Sequence, residues 1–240
     1  MSTRIALVAL AANLASTGCA SFLFGDTDRV SVESIPAGAR VTVEPGGQTL
    51  WTPDSILLRS GELHRLTFEL EGYEPRVEEV APQQSAAILG NLLFGGIIGI
   101  WVDRRSGAAY RLFPNPVRVA LEAGTDDDGE NPSLTRIAFF NVTPVHAVGG
   151  RALIAVELDD LLAGTIERNR SLELDVEPGA YRLRLRHRDL FLYEDEYELV
   201  VGDEPMYIEV FSRMLSTRFQ QVDRPPDGFA GSESPGAPPP

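Results

Sequence analysis

Apolar and polar residues alternate one for one in short runs along much of this chain. Val30 and Val32 alternate with Ser31 and Glu33. Ala39, Val41 and Val43 alternate with Arg40, Thr42 and Glu44, and Leu66, Phe68 and Leu70 with Arg65, Thr67 and Glu69. A period of two is the repeat of a strand with one buried and one solvated face, the pattern of antiparallel sheet. Breakers separate the runs: Pro36 and Gly38, Pro45-Gly46-Gly47, Pro53, Gly61 and Gly72. Similar runs return in the second half as IAFFNV, ALIAVEL, SLELDVE, YRLRLRH, YELVV and MYIEVF. The pattern predicts an all-β protein of two small antiparallel β-sandwich modules, residues 29–123 and 134–222. Of the 240 residues, 43% are hydrophobic, enough to supply both cores.

The segments around these modules have other grammars. Residues 1–18 read as a signal peptide: Arg4 precedes the apolar run Ile5 to Ala15, which is too short to span a bilayer. Cys19, the one cysteine of the chain, follows in STGCAS. That stretch resembles the bacterial lipobox, with Ser16 where leucine is commonest. The resemblance implies that the Cys19 thiol carries a diacylglycerol and that Cys19 becomes the N-terminus. It also implies the outer membrane, because Ala20 stands where an aspartate favours retention at the inner one. Residues 19–28 are then a tether. Residues 124–133 form an acidic linker, and its Asp run does not fit a calcium loop, since position 124 is Gly and the twelfth position is Thr135. Residues 223–240, rich in Pro, Gly and Ser, are expected to be a disordered tail.

Three features of the first module occur together: VSVESIPAGARVTVE, Thr52-Pro53, and SGELHRLTFELEGYEP. As a set they resemble a PEGA domain, with Ala37 in place of the family's namesake glutamate. The resemblance implies a small β-sandwich of the bacterial envelope and no catalysis. The second module resembles a lipoprotein β-domain of unknown function. The likeness is carried by Val156-Glu157-Leu158-Asp159…Gly164 and by the turn from Val176 to Leu183. The two modules also echo each other, which suggests an internal duplication.

Between the strands of the first module runs GNLLFGGIIGIWVDRRSGAAY, within a charge-free stretch from Ala86 to Val102. As a helix it would reach about 26 Å, short of a ~30 Å hydrocarbon core, and four glycines weaken helix formation. It carries neither glycine pattern of a phosphate-cradling loop. It reads as an apolar insertion, residues 84–113, forming a short helix and turn; a membrane span is the weaker reading. Gly95, Gly96, Gly99 and Trp101 are its candidate interaction residues. The strand Pro116 to Leu121 returns the chain to the sheet.

In the second module, Pro178-Gly179 predicts a hairpin pairing Val176 with Tyr181, Leu174 with Leu183 and Leu172 with Leu185. Asp175 would meet Arg182, and Glu173 would meet Arg184. Arg182, Arg184, Arg186 and Arg188 then form a ladder, flanked by Glu194, Glu196 and Glu198. The ladder could grip an anionic polymer such as a cell-wall component, or be neutralised by those acids together with Glu173 and Asp175.

Composition narrows the chemistry. A net charge of -14 argues against nucleic acid as a partner. All 21 basic residues are Arg, which excludes lysine-dependent chemistry. His64, His146 and His187 lack metal-ligand spacing, so neither a metal nor a cofactor is expected. No G-x-S-x-G occurs. The expected function is that of a lipid-anchored envelope protein, a non-catalytic tether or scaffold whose partners are the membrane and an envelope protein or cell-wall polymer. Two alternatives are a ligand-binding groove beside the glycine-rich insertion and an envelope hydrolase with a carboxylate pair not evident from sequence.

Overall fold

A computed structural model describes residues 26–86, 109–124, 134–144, 152–213 and 216–229. The described residues form strands, turns and loops, with no helix among them. The first module holds β1 (Thr27–Ile35), β2 (Arg40–Glu44), β3 (Gln48–Trp51), β4 (Asp54–Arg59), β5 (His64–Glu69), β6 (Arg76–Gln84), β7 (Tyr110–Phe113) and β8 (Val117–Ala120). They build a three-stranded sheet, β4-β1-β8, facing a five-stranded sheet, β3-β2-β5-β6-β7. The second module holds β9 (Thr135–Asn141), β10 (Ile154–Leu158), β11 (Leu161–Ile166), β12 (Ser171–Val176), β13 (Gly179–Arg188), β14 (Leu192–Val201), β15 (Met206–Arg213) and β16 (Ser216–Val222). Its sheets run β12-β9-β15-β16 and β11-β10-β13-β14.

The two connectivities match through the first six strands of each module. In each module the first strand pairs antiparallel with the fourth, and the second pairs with the third and the fifth. In each, the first strand also takes a parallel partner from late in the module, β1 with β8 and β9 with β15. The expected sandwiches are therefore present, each with one mixed sheet in place of a purely antiparallel one. A parallel neighbour needs a long crossover, and here the intervening strands of the module supply it.

The alternating apolar residues fill the cores as their period requires. Val30, Val32, Val41, Leu66, Phe68 and Val119 are fully buried in the first, and Ile137, Phe139, Val156, Leu183, Leu185 and Ile208 in the second. Each contributes about 1.5–3 kcal/mol relative to an exposed position. His64 also lies on the buried face, its Nε2 2.8 Å from the Arg59 carbonyl oxygen.

Two expectations need correction. The Pro178-Gly179 turn does not close a hairpin: β12 pairs with β9, β13 pairs with β10 and β14, and the chain crosses between sheets. Leu172, Leu183 and Leu185 point into one core whether they are sheet neighbours or face each other across it. Apolar alternation alone could not choose between those arrangements. Charge pairing followed the true register, with Asp175 meeting Arg136 of β9 at 3.1 Å. Second, the insertion is shorter than residues 84–113, because Tyr110–Phe113 forms β7 against β6. The expected tail is described as far as Phe229, which packs edge-on against Phe140, ring centroids 5.1 Å apart. Residues 230–240 lie outside the described residues, as does most of the expected linker.

One polar cluster fixes the first turn. Thr52 is buried, and its Oγ1 accepts the N–H groups of Gly38 (3.1 Å) and Ala39 (3.0 Å). Ser34 donates its hydroxyl to the Pro36 carbonyl at 2.6 Å, so at 2.5 Å the Thr52 hydroxyl donates to Ser34. Gly38 sits at φ +91°, where a side chain is strained. The Pro-Ala-Gly-Ala turn and the distant Thr52-Pro53 are thus one hydrogen-bonded unit. Replacing Thr52 by Val leaves the buried Ala39 N–H without its acceptor and is expected to cost about 1–3 kcal/mol in urea unfolding. Thr52→Ser keeps the oxygen and is expected to cost less than about 1 kcal/mol.

Candidate functional site

The outer face of the β11-β10-β13-β14 sheet carries the arginine ladder, and strand register decides what each guanidinium meets. β13 lies between β10 and β14, which sets Arg184 opposite Glu157 and Glu196, and Arg186 opposite Ala155 and Glu194. The flanking row of glutamates on β14 is as expected from sequence. Of the expected acids Glu196 takes part in the ion pairs, and Glu157 and Asp160 supply the others. Arg184 contacts Asp160 at 2.6 Å and both Glu157 and Glu196 at 3.3 Å. Arg182 contacts Asp160 at 3.1 Å. Glu173, on the other sheet, lies opposite Ala138 of β9.

Arg186 is the exception in the ladder, because its side chain is only 3% exposed. It pairs with Glu157, itself buried, and donates to the carbonyl oxygens of Asn115 (3.1 Å) and Pro116 (3.2 Å) in the first module. Its guanidinium also lies 5.9 Å from the Phe113 ring centroid. A second arginine crosses in the opposite direction. Arg76 of β6 donates to the carbonyls of Leu162 (2.7 Å) and Ala163 (3.0 Å) on β11. Leu153, Ala155 and Leu162 join the first module's apolar core. The outer face of this sheet is therefore the contact between the modules, and two arginines bridge it.

The sequence features around this contact now have physical reasons. Asp159 and Asp160 both take positive φ, the backbone of a tight two-residue hairpin loop between β10 and β11. Asp159 Oδ1 then accepts the Arg182 N–H at 2.8 Å. Gly164 packs closely on Leu172, and a Cβ there would lie 2.8 Å from Leu172 Cδ1, so that leucine would have to shift. The aspartate and glycine of the Val156 to Gly164 motif thus shape and pack one hairpin.

Arg76 holds Glu78 by two bonds, of 2.7 and 2.9 Å. Burial pushes the Glu78 carboxyl above its ordinary range, and Arg76 opposes that shift. His187 is also buried, its Nδ1 2.6 Å from Thr217 Oγ1 and its ring stacked on Tyr193. Burial holds its pKa down to about 4, partly offset by Asp195. Among the described residues, no group of three or more His, Cys, Asp or Glu side chains could hold a metal ion.

The two ends of the first module differ in what meets there. At one end β1 begins: Asp26 accepts the Ser60 N–H at 2.8 Å, and Asp28 accepts the Leu112 N–H at 2.9 Å. Ser85 donates to Ala109 at 3.0 Å beside them, closing the gap from which residues 87–108 leave and return. At the other end Gly124 donates to Gly72 at 2.9 Å as the chain departs for the second module. Cys19, Gly95, Gly96, Gly99, Trp101 and His146 lie outside the described residues.

Sequence reading missed Arg76, Glu157 and Trp51. Trp51 is 60% exposed on the outer face of the first module. Its signal was available, since it follows the buried Leu50 in strand phase and must point outward.

Two consequences are measurable. Arg186→Met leaves the buried Glu157 with Arg184 as its remaining cation, at 3.3 Å, and is expected to cost about 1.5–3 kcal/mol in urea unfolding; adding Glu157→Leu is expected to restore part of it. His187 is neutral in the fold at pH 7 and resists protonation there, whereas the unfolded chain protonates it near pH 6.5. Its contribution is therefore full above pH 6.5 and is lost as pH falls toward about 4, by up to roughly 3 kcal/mol. His187→Asn is expected to flatten that part of the curve of melting temperature against pH.

No curated protein matches the chain. A family model does match part of it: residues 27–89 match the PEGA domain. The match spans β1 to β6 and stops short of β7 and β8, which pair with β6 and β1. The first module is thus similar to a PEGA domain over residues 27–89, and two further strands complete its sandwich.

Proposed function

We propose that the chain is a cell-envelope lipoprotein that serves as a non-catalytic tether or scaffold, held by a lipid on Cys19 at the periplasmic face of the outer membrane. A PEGA domain points to an envelope or secreted module. The observation that carries the reading further is the meeting of Asp26, Ser60, Ser85, Ala109 and Leu112 at one end of the first sandwich. A short tether from Cys19 enters there, and residues 87–108 leave and rejoin there. The apolar segment with Gly95, Gly96, Gly99 and Trp101 would then address the same membrane or membrane-borne partner as the anchor.

The module contact supports a scaffold rather than a flexible pair of beads. Arg186 and Arg76 tie backbone carbonyls across it, so the second sandwich projects in a fixed direction from the first. The two buried glutamates, Glu78 and Glu157, are both held by arginines at that contact, an occupation that favours a structural use of these carboxylates over catalysis. Arg186 is buried and Arg182 and Arg184 are paired, which disfavours the ladder as a grip for a polyanion.

Cys19→Ser tests the anchor. The substitution is expected to abolish incorporation of labelled fatty acid and to move the protein from the membrane to the soluble fraction of lysed cells. A variant that still labels, or stays membrane-bound after a high-salt wash, would overturn the lipid-anchor reading.

A further inference from the structure

The outer face of the five-stranded sheet has a chemistry that the module contact and the anchor do not use. Val41, Val43, Leu50, Leu66 and Phe68 point into the core, so their neighbours along β2, β3 and β5 point out. Register arranges those outward residues in rows across the strands. Trp51, Arg40 and Glu69 form one row. Thr49, Thr42, Thr67 and Val77 form the next, and Glu44, Arg65 and Glu79 the third. Rows two residues apart lie about 6.7 Å from each other, so the three span about 13 Å along the strands. At the third row the face dips into an open depression of about 480 Å³ beside Gly46, Gly47 and Leu63. Both glycines take positive φ and carry no side chain, which leaves the rim low.

We infer that this face binds an uncharged linear glycan, with Trp51 as its stacking platform. Four features select that occupant. Trp51 exposes a large apolar ring at a cost that a monomer ordinarily avoids by burial. The charges around it cancel locally: Arg40 pairs with Glu69 at 2.7 Å and Arg65 with Glu79 at 3.1 Å. A face whose cations are already paired has little attraction for a polyanion. Apart from Trp51 and Val77 the rows are hydroxyl and charged groups, too polar for the core of a protein–protein interface or for insertion into lipid. A pyranose ring fits this mixture, offering a C–H face to the indole and a rim of hydroxyls. The three threonines and the planar Arg40–Glu69 pair can exchange hydrogen bonds with that rim. The flat sheet and the shallow depression suit an extended chain of a few sugars lying across the rows.

The inference deepens the interaction-module reading by naming the class of ligand, and it does not depend on the lipid. Its test uses the whole chain bearing Cys19→Ser, so a failed anchor and a failed glycan site are told apart. Isothermal titration with chitohexaose, and separately with cellohexaose, is expected to show binding to at least one. Trp51→Ala is expected to weaken it by about tenfold or more, and Trp51→Phe to keep much of it, because an aromatic face remains. Phe191→Ala, a similarly exposed aromatic elsewhere, is expected to leave binding unchanged. Because Trp51 is exposed, Trp51→Ala should keep the circular dichroism and urea midpoint of the parent. Three results would overturn the inference: no binding of either hexasaccharide, binding unaffected by Trp51→Ala, or tighter binding of polygalacturonate. A Trp51-dependent dimer in sedimentation without glycan binding would assign the face to a second copy instead.

Discussion

A buried guanidinium holds the two halves of this protein in register. Arg186 leaves the solvated row of its own strand, enters the contact between the sandwiches, and binds one carboxylate and two backbone carbonyls there. A charge in that position is tolerable only when its hydrogen-bonding groups are met, and breaking such a pair from one side strands the other charge. The demand is directional as well as electrostatic. The carbonyls of Asn115 and Pro116 belong to the segment leading into β8, the strand that pairs parallel with β1. One side chain therefore couples the closure of the first sandwich to the orientation of the second.

Around that contact the molecule repeats itself. Both modules use the same order among their first six strands, and both join the first strand to a late one in parallel; the seventh strand lies beside the sixth in the first module and beside the first in the second. Only β1 to β6 carry the PEGA match. The second module keeps the connectivity with different turns: a Thr52 hydroxyl binds the first module's turn, whereas two aspartates at positive φ form the second's β10–β11 hairpin. Topology outlasts local chemistry here because any sequence that alternates correctly and turns at the right places can satisfy it.

Function divides between surfaces in a way that charge alone would misassign. The arginine row, the most conspicuous run of charge in the sequence, is drawn into the module contact and its acids. The outer sheet face of the first module looks bland by comparison, with threonines, two ion pairs and one exposed indole. It remains open to solvent, and openness is what a binding face needs. One sheet face is thus spent on internal assembly, while the other stays exposed.

The sequence by itself determined the strands that alternate most strictly, the facing of Val30, Val41, Leu66, Phe68, Leu183 and Leu185, and the presence of two β modules. These follow from side-chain periodicity, which is local and has the same answer in any sheet. It was silent on β3, β4, β6, β7, β11 and β16, which are short or whose alternation is interrupted, as by Pro82 in β6 and Gly164 in β11. It misjudged the partner of β12, because a core filled from both sides accepts the same apolar pattern from a neighbour or from an opposite strand. Only the tertiary structure decided that Arg186 is buried while Arg182 is half exposed. The two occupy equivalent phases of one strand, and what separates them is the second module's position against Phe113, Asn115 and Pro116, a long-range packing that no periodicity encodes.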